Sequence, residues 1–431
     1  MPIDLEKLYQ YAANEEDARA CNDIEEAACK EVPNNFFKIL LAQCFTKIAD
    51  SLASSKVVLP WLMTGAGVPS AFTGLLVPIR ESGSLIPQLF IGGVIRRFSI
   101  RKWSFVAGSL LQGLFVLAIM FVLLTMHGSA AGFTVIALLV GFSLSRGLCS
   151  VASKDVLGKT VPKRRRGLLN GYAGSASGLV TLLISVGLFV YVQPDENLYP
   201  YLLLAAGVFW FIAAWVYANI NEYSGATEGG GNAFKNAMQS LSILKTDTDF
   251  KHFVWVRALL LSTGLAAPFI VIAAQQNSSD SSLKNLGLFI AISGFASLIS
   301  GRFWGRFADV KSHRLLQVTS LLSAVLCGMS VIVMYFQPMH AVYYYLFLFF
   351  ALSVVLQGIR IARKTYVVDL AGGNKRTEYV SVSNTAIGLL LLIAGLLSSA
   401  VSLYSVAGVL FFFMVSGLGA FFISLKLAVI D

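Results

Sequence analysis

The side chains that could do chemistry in this chain are a few charged groups set inside long apolar runs, where each costs about 2.5–3.5 kcal/mol and so calls for a purpose. In the first run Lys47 and Asp50 stand three residues apart, on one helical face where ammonium and carboxylate can pair. Lys56 follows Lys47 by nine residues, roughly 900° of helical rotation, which turns it away from that face or outward. In the second run Arg80 and Glu81 are adjacent; they point about 100° apart and cannot pair with each other. Asp50 and Glu81 are the two carboxylates deep in any run. A carboxylate whose protonation is balanced between desolvation and a nearby cation can carry a proton reversibly, whereas one locked to Arg or Lys is a structural ion pair. Both readings stay open for each.

Three guanidinium groups add fixed positive charge: Arg146, Arg257 and Arg360. Guanidinium grips carboxylate or phosphate through paired hydrogen bonds, which favours an anionic ligand. Arg146 precedes Asp155 by nine residues, as Arg360 precedes Asp369. Nine residues of helix span about 13.5 Å, so pairing of these groups must cross between helices. The alternative to ligand contact is that both arginines belong to a gate through the two aspartates, and Arg257 could simply reach the membrane interface. Trp61, Gln88, Gln112, Tyr172, Trp255, Gln357, Tyr366 and Asn384 are the aromatic and amide candidates. Tyr172 and Gln357 join Lys47, Arg80, Arg146, Arg257 and Arg360 as candidate ligand contacts, against the ordinary role of packing or interfacial anchoring.

The elements that must position these groups are transmembrane helices. Of the 431 residues 56% are hydrophobic and 13% charged, and mean hydropathy is +0.72, far from the usage of soluble domains. Twelve apolar stretches are each long enough to cross the bilayer: 36–62, 68–94, 102–126, 131–156, 168–192, 198–220, 253–276, 283–305, 313–337, 340–366, 379–402 and 404–427. Backbone amides in lipid must be satisfied internally, so an all-α fold is predicted. The net charge of +10 does not indicate nucleic acid, because the basic residues sit at span ends in alternate connections. Examples are Arg96, Arg97, Arg101 and Lys102, then Lys159 with Lys163 to Arg166. The positive-inside rule then places both termini in the cytoplasm. Residues 1–35 are acidic and lack the basic start and apolar core of a signal peptide; they read as a solvated cytoplasmic leader. Five cysteines without a Cys-x-x-Cys pair suggest neither a disulfide framework nor a zinc site.

One polar connection carries a family signature. Gly305 Arg306 Phe307 Ala308 Asp309 Val310 Lys311 Ser312 His313 Arg314 resembles the Gly-x-x-x-Asp-x-x-x-x-Arg loop of the major facilitator superfamily, which joins two spans on the cytoplasmic side. Gly92 to Arg101 occupies the matching place 213 positions earlier, and Arg146 to Asp155 matches Arg360 to Asp369 at an offset of 214. Two matches at nearly one offset indicate an internal repeat. The resemblance implies two six-helix bundles, 36–220 and 253–431, joined by a cytoplasmic loop at 221–252. It further implies a small-molecule site near midplane between them and gradient-driven transport by alternating access. Gly305, Asp309, Arg314, Asp155, Asp369 and Arg96 take gating roles in that scheme, although Arg96 stands where the motif expects Asp. Gly171, Gly174 and Gly178 lack the proline typical of drug–proton antiporters.

Other classes lack support. There is no Gly-rich phosphate loop, no His-x-x-x-His and no nucleophile elbow. The expectation is a non-enzymatic transporter without cofactor or metal, a monomer in the bilayer of a bacterial inner membrane. It would move an anionic or zwitterionic solute with protons as the coupling ion. Efflux of amphipathic compounds, or a transporter-like sensor that recruits a partner through the leader, are the rival readings.

Overall fold

The computed structural model describes residues 30–86, 95, 97–191, 201–224, 247–276, 283–337, 341–370 and 376–428. These residues form thirteen helices: α1 Val32–Leu52, α2 Val58–Gly65, α3 Ser70–Leu85, α4 Lys102–Thr125, α5 Gly128–Thr160, α6 Lys163–Tyr191, α7 Tyr201–Ala218, α8 Thr248–Leu259, α9 Leu261–Gln276, α10 Leu283–Phe336, α11 Ala341–Leu370, α12 Arg376–Ser402 and α13 Val406–Ser424. Among the described residues nine helical spans are long and apolar enough to cross a membrane. These nine match the twelve expected stretches except the first, second and eighth. The first is split into α1 and α2. The second is described only as far as Ile86. The eighth is the first part of α10, where Asn285–Ser300 forms a shorter apolar stretch.

The break in the first span matters most for function. Helical hydrogen bonding stops after Leu52 and resumes at Val58, so Ala53 to Val57 cross as irregular backbone. Such backbone is tolerated at depth only when protein or a cavity satisfies it. Arg80 does part of this by donating to the Ala53 carbonyl at 2.8 Å, and Ser54 accepts from the Lys56 amide at 3.3 Å. The next helix, α2, is wrapped in protein: Val58 to Met63 are all buried.

The expected loop at 305–314 is instead helical, and α10 continues through it for 54 residues. Yet α10 cannot be straight. Trp304 and Thr319 both lie within 3.1 Å of where a Cβ on Gly358 would stand, while fifteen residues of straight helix span about 22 Å. The axis therefore bends sharply between them, keeping the reversal that a loop was expected to supply. The Trp304 indole reinforces this by donating to the Val354 carbonyl at 2.9 Å.

The first-half helices pack chiefly among themselves, as do α8 to α13, and the two sets meet along a few seams. The α3–α12 seam is built from small residues. A Cβ on Gly395 would stand 2.3 Å from Pro78, and one on Gly74 would stand 3.0 Å from the Ser399 backbone. Removing side chains there lets the helices approach. Hydroxyls then cross the gap: Ser70 donates to Ser402 (3.0 Å), Ser399 to Ala71 (2.6 Å) and Ser82 to Gly388 (2.7 Å), each to a backbone carbonyl. At the α6–α10 seam the approach is looser, with Gly178 and Gly294 meeting at most ordinary van der Waals contacts.

At the basic end of the first set, the start of α4 is capped from the segment that follows α7. Glu222 accepts from the Arg101 and Lys102 amides at 2.6–2.9 Å and from Lys159 at 2.9 Å. Lys102 in turn donates to the Ala218 and Ile220 carbonyls. A carboxylate at a helix N-terminus satisfies orphan amides and complements the dipole. Among the described residues the free thiols of Cys149 and Cys327 are buried and that of Cys44 is half-buried.

Candidate functional site

Three adjoining cavities open between the two sets of helices. The largest, about 690 Å³, is lined by α1, the α1–α2 break, α3, α5, α6, α10 and α11. A second of about 550 Å³ lies between α3, α8, α9, α11 and α12. A third of about 90 Å³ sits against α9, α10 and α11. Lys56 and Arg360 line all three. Elsewhere the two sets touch where Gln275 donates to the Trp61 carbonyl at 3.4 Å and the rings of Trp61 and Phe289 stand 6.3 Å apart.

Asp50 is the hub of the largest cavity. Its Oδ1 accepts from Arg80 and from Arg146, each at 2.7 Å, joining α1, α3 and α5. Arg80 is held further by Ala53 and lies 5.5 Å from the Phe142 ring centre, within cation–π range. Lys47 therefore does not pair with Asp50, as its spacing suggested. It turns toward α6, donating to the Asn170 carbonyl at 3.4 Å and lying 3.6 Å from the Cβ position of Gly174. Arg146 is likewise taken by Asp50 and not by Asp155, whose carboxylate pairs with Arg101 and, at 3.2 Å, with Lys159.

Glu81 differs from Asp50. It faces both larger cavities, and among the described residues its carboxylate has no cation within 4.0 Å. It shares the largest cavity with Lys56, Arg80, Arg146 and Arg360. Lys56 corrects the sequence expectation: it points into the centre, not away. The 900° rotation presupposed an unbroken helix, and the break at 53–57 removes that premise.

In the second cavity Arg257 donates to Ser383 and, at 2.8 Å, to Asn384; its Nε is buried and has no hydrogen-bond partner among the described residues. Arg363 lines the same cavity. Arg363 stands three residues after Arg360, which puts both on one helical face, so spacing alone could have singled it out. Among the described residues, the two larger cavities are lined by seven cations (Lys47, Lys56, Arg80, Arg146, Arg257, Arg360 and Arg363) and two carboxylates, Asp50 and Glu81.

The remaining candidates divide. Gln357 lines the first and third cavities and donates to Ser297 at 3.1 Å; Asn384 lines the second. Trp61 is buried, Tyr172 and Trp255 are exposed large side chains, Gln112 is tied to Gly108 and Cys149, and Tyr366 donates to the Ala428 carbonyl. None of these five lines any of the three cavities. Arg314 is exposed. Arg96 and Gln88 lie outside the described residues, as do side-chain positions 305, 309 and 369.

The family model of the Major Facilitator Superfamily matches residues 39–395. The chain belongs to that superfamily. A crystal structure of a mutant of the nucleoside transporter NupG superposes with a TM-score of 0.72 at 10% identity, covering 91% of this chain and all of that one. A D-xylose–proton symporter gives 0.64 at 15% identity, covering 93% and 97%. A POT family transporter in complex with 5-aminolevulinic acid gives 0.70 at 11%, covering 91% and 95%. No curated protein matches the sequence. At these identities the likeness is one of fold, and the superfamily member described here is an integral, multi-pass membrane protein and a transporter.

Proposed function

We propose that this protein is a secondary active transporter that carries a small anionic or zwitterionic organic solute through the central cavities by alternating access, coupled to protons. The observation that carries the reading is the excess of cations over carboxylates at a depth where an uncompensated charge is costly. A bound anion would supply the missing negative charge. Glu81 is assigned the proton: it faces the cavities, and among the described residues no cation lies within 4.0 Å of its carboxylate. When ionised it competes with the solute for the field of Lys56, Arg146 and Arg360, and when neutral it leaves that field to the anion, so that proton and anion travel together. Asp50, gripped by two arginines, is assigned a structural role that joins three helices.

The two bundles, 36–220 and 253–431, rock about the cavities, with 221–252 as their connection. Basic connections facing the cytoplasm place both termini there, in a bacterial inner membrane, and one chain suffices as a monomer because both halves of the site lie on it. Gating falls to the basic end, through Asp155 with its Arg101 partner, Arg96, and the segment holding Gly305, Asp309 and Arg314 with Asp369 beyond it. The apolar wall of the second cavity is the observation that favours efflux of amphipathic compounds as a second reading.

The test begins by screening purified protein for thermal stabilisation by carboxylates, phosphate esters and uncharged analogues, since any ligand of the folded state raises stability by mass action. Uptake of the best anion is then followed in proteoliposomes. Glu81→Gln should abolish uptake driven by a pH gradient and spare substrate-for-substrate exchange. Uncharged analogues stabilising as well as anions would remove the anionic reading, and gradient-driven uptake by Glu81→Gln equal to wild type would remove Glu81 from coupling.

A further inference from the structure

The two larger cavities differ in chemistry although they share a junction. On one side of Lys56 and Arg360 the walls carry hydroxyls and amides, with Ser51, Ser54, Ser177, Thr181 and Asn170 among them. On the other side the walls are mostly aliphatic, with Val77, Leu260, Leu261, Leu356, Ile387 and Leu391, and the charged groups Glu81, Arg257 and Arg363 are set among them. Polar walls lose hydrogen bonds when covered by an apolar body, and aliphatic walls gain only when one covers them. A charged head can be held at the junction from either side. Arg257 fits this picture: its two terminal nitrogens are anchored by Ser383 and Asn384, so its flat guanidinium is fixed in the aliphatic cavity, where such a plane can lie against an apolar ring.

We infer that the solute is an amphipathic organic anion whose acidic group sits at the Lys56–Arg360 junction and whose apolar body fills the cavity between α3, α8, α9, α11 and α12. This rests on the proposed anion transport and narrows its substrate class. A body of drug size fits the second cavity of about 550 Å³, within the usual range for ligand pockets.

Binding of three probes to the full-length protein in detergent tests it: 3-phenylpropionate (acid head, apolar body), gluconate (acid head, hydroxylated body) and 3-phenylpropan-1-ol (apolar body, no charge). The acid with the apolar body should bind about tenfold or more tighter than gluconate, the scale expected for burying a ring. Leu356→Asn, which alters a half-buried wall residue, should lower the ratio of 3-phenylpropionate to gluconate affinity toward one, and an unchanged ratio in the folded variant would count against the assignment; folded Arg257→Gln should weaken 3-phenylpropionate. Gluconate binding as tightly as 3-phenylpropionate would overturn the amphipathic assignment and leave anion transport standing. The alcohol matching the acid would overturn both. Binding of none of the three overturns the inference, because the aliphatic cavity would then accept no apolar acid.

Discussion

Asp50→Asn separates a structural carboxylate from a coupling one. The substitution keeps size and an acceptor oxygen but removes the charge that Arg80 and Arg146 share at 2.7 Å. At that contact the charge centres are about 4 Å apart, and each pair is worth about 4 kcal/mol at an effective dielectric of about 20. Desolvation and the mutual repulsion of the two arginines offset part of this. What remains is the cost of stranding cations: the Arg80 side chain is 6% exposed, against 30% for Arg146, so most of the loss falls on Arg80. Breaking a buried pair by removing one partner costs about 3–5 kcal/mol, and that is the expected loss of unfolding free energy, read by denaturant titration in detergent. Arg80→Gln combined with Asp50→Asn should lose much less than the sum of the single variants, because the stranded charge is gone. In proteoliposomes Asp50→Asn should reduce exchange and gradient-driven uptake in the same proportion. A loss below about 1 kcal/mol, the scale of an exposed pair, would refute the buried-hub argument. Selective loss of gradient-driven uptake would move the proton from Glu81 to Asp50.

Three further outcomes are expected. Lys56→Met, at the junction of the three cavities, should raise KM for the anionic solute at least about tenfold, as for a charged contact worth about 1.5–3 kcal/mol, with uptake of no neutral analogue equally affected. Gly395→Leu drives a side chain into Pro78, where even a Cβ would stand at 2.3 Å; overpacking of this kind costs about 1–3 kcal/mol or more, and it should lower the midpoint of thermal unfolding whereas Gly171→Ala, with open space at its Cβ, should not. Finally, hydrogen bonds from Asn221 (2.8 Å) and Asn34 (3.3 Å) hold the Glu31 carboxyl below its ordinary range. A lowered folded value contributes stability that is present above the unfolded carboxylate range and lost as pH falls through the folded one, so Glu31→Gln should flatten the acid-side decline of thermal stability, measured between about pH 3 and 6 around the reference carboxylate values.

Composition and spacing alone determined that this chain crosses the bilayer repeatedly as helices, because a run of apolar residues in lipid leaves the backbone no other partner. The signature string, the repeat offset and the list of charges at depth were equally legible, since each is a property of residue type and order. The direction of those charges was not. Lys47 and Asp50 looked like partners on one face, yet Asp50 is claimed by arginines 30 and 96 residues away, and guanidinium reaching from another helix cannot be read from local spacing. Lys56 was aimed wrongly for a different reason: the irregular stretch at 53–57 is stabilised by Arg80 from α3, so the break that turns Lys56 inward exists only once two helices are packed. The division into polar and aliphatic cavities depends in the same way on which faces of α8, α9, α11 and α12 meet. Periodicity fixes a face relative to its own axis; only packing fixes what that face looks upon.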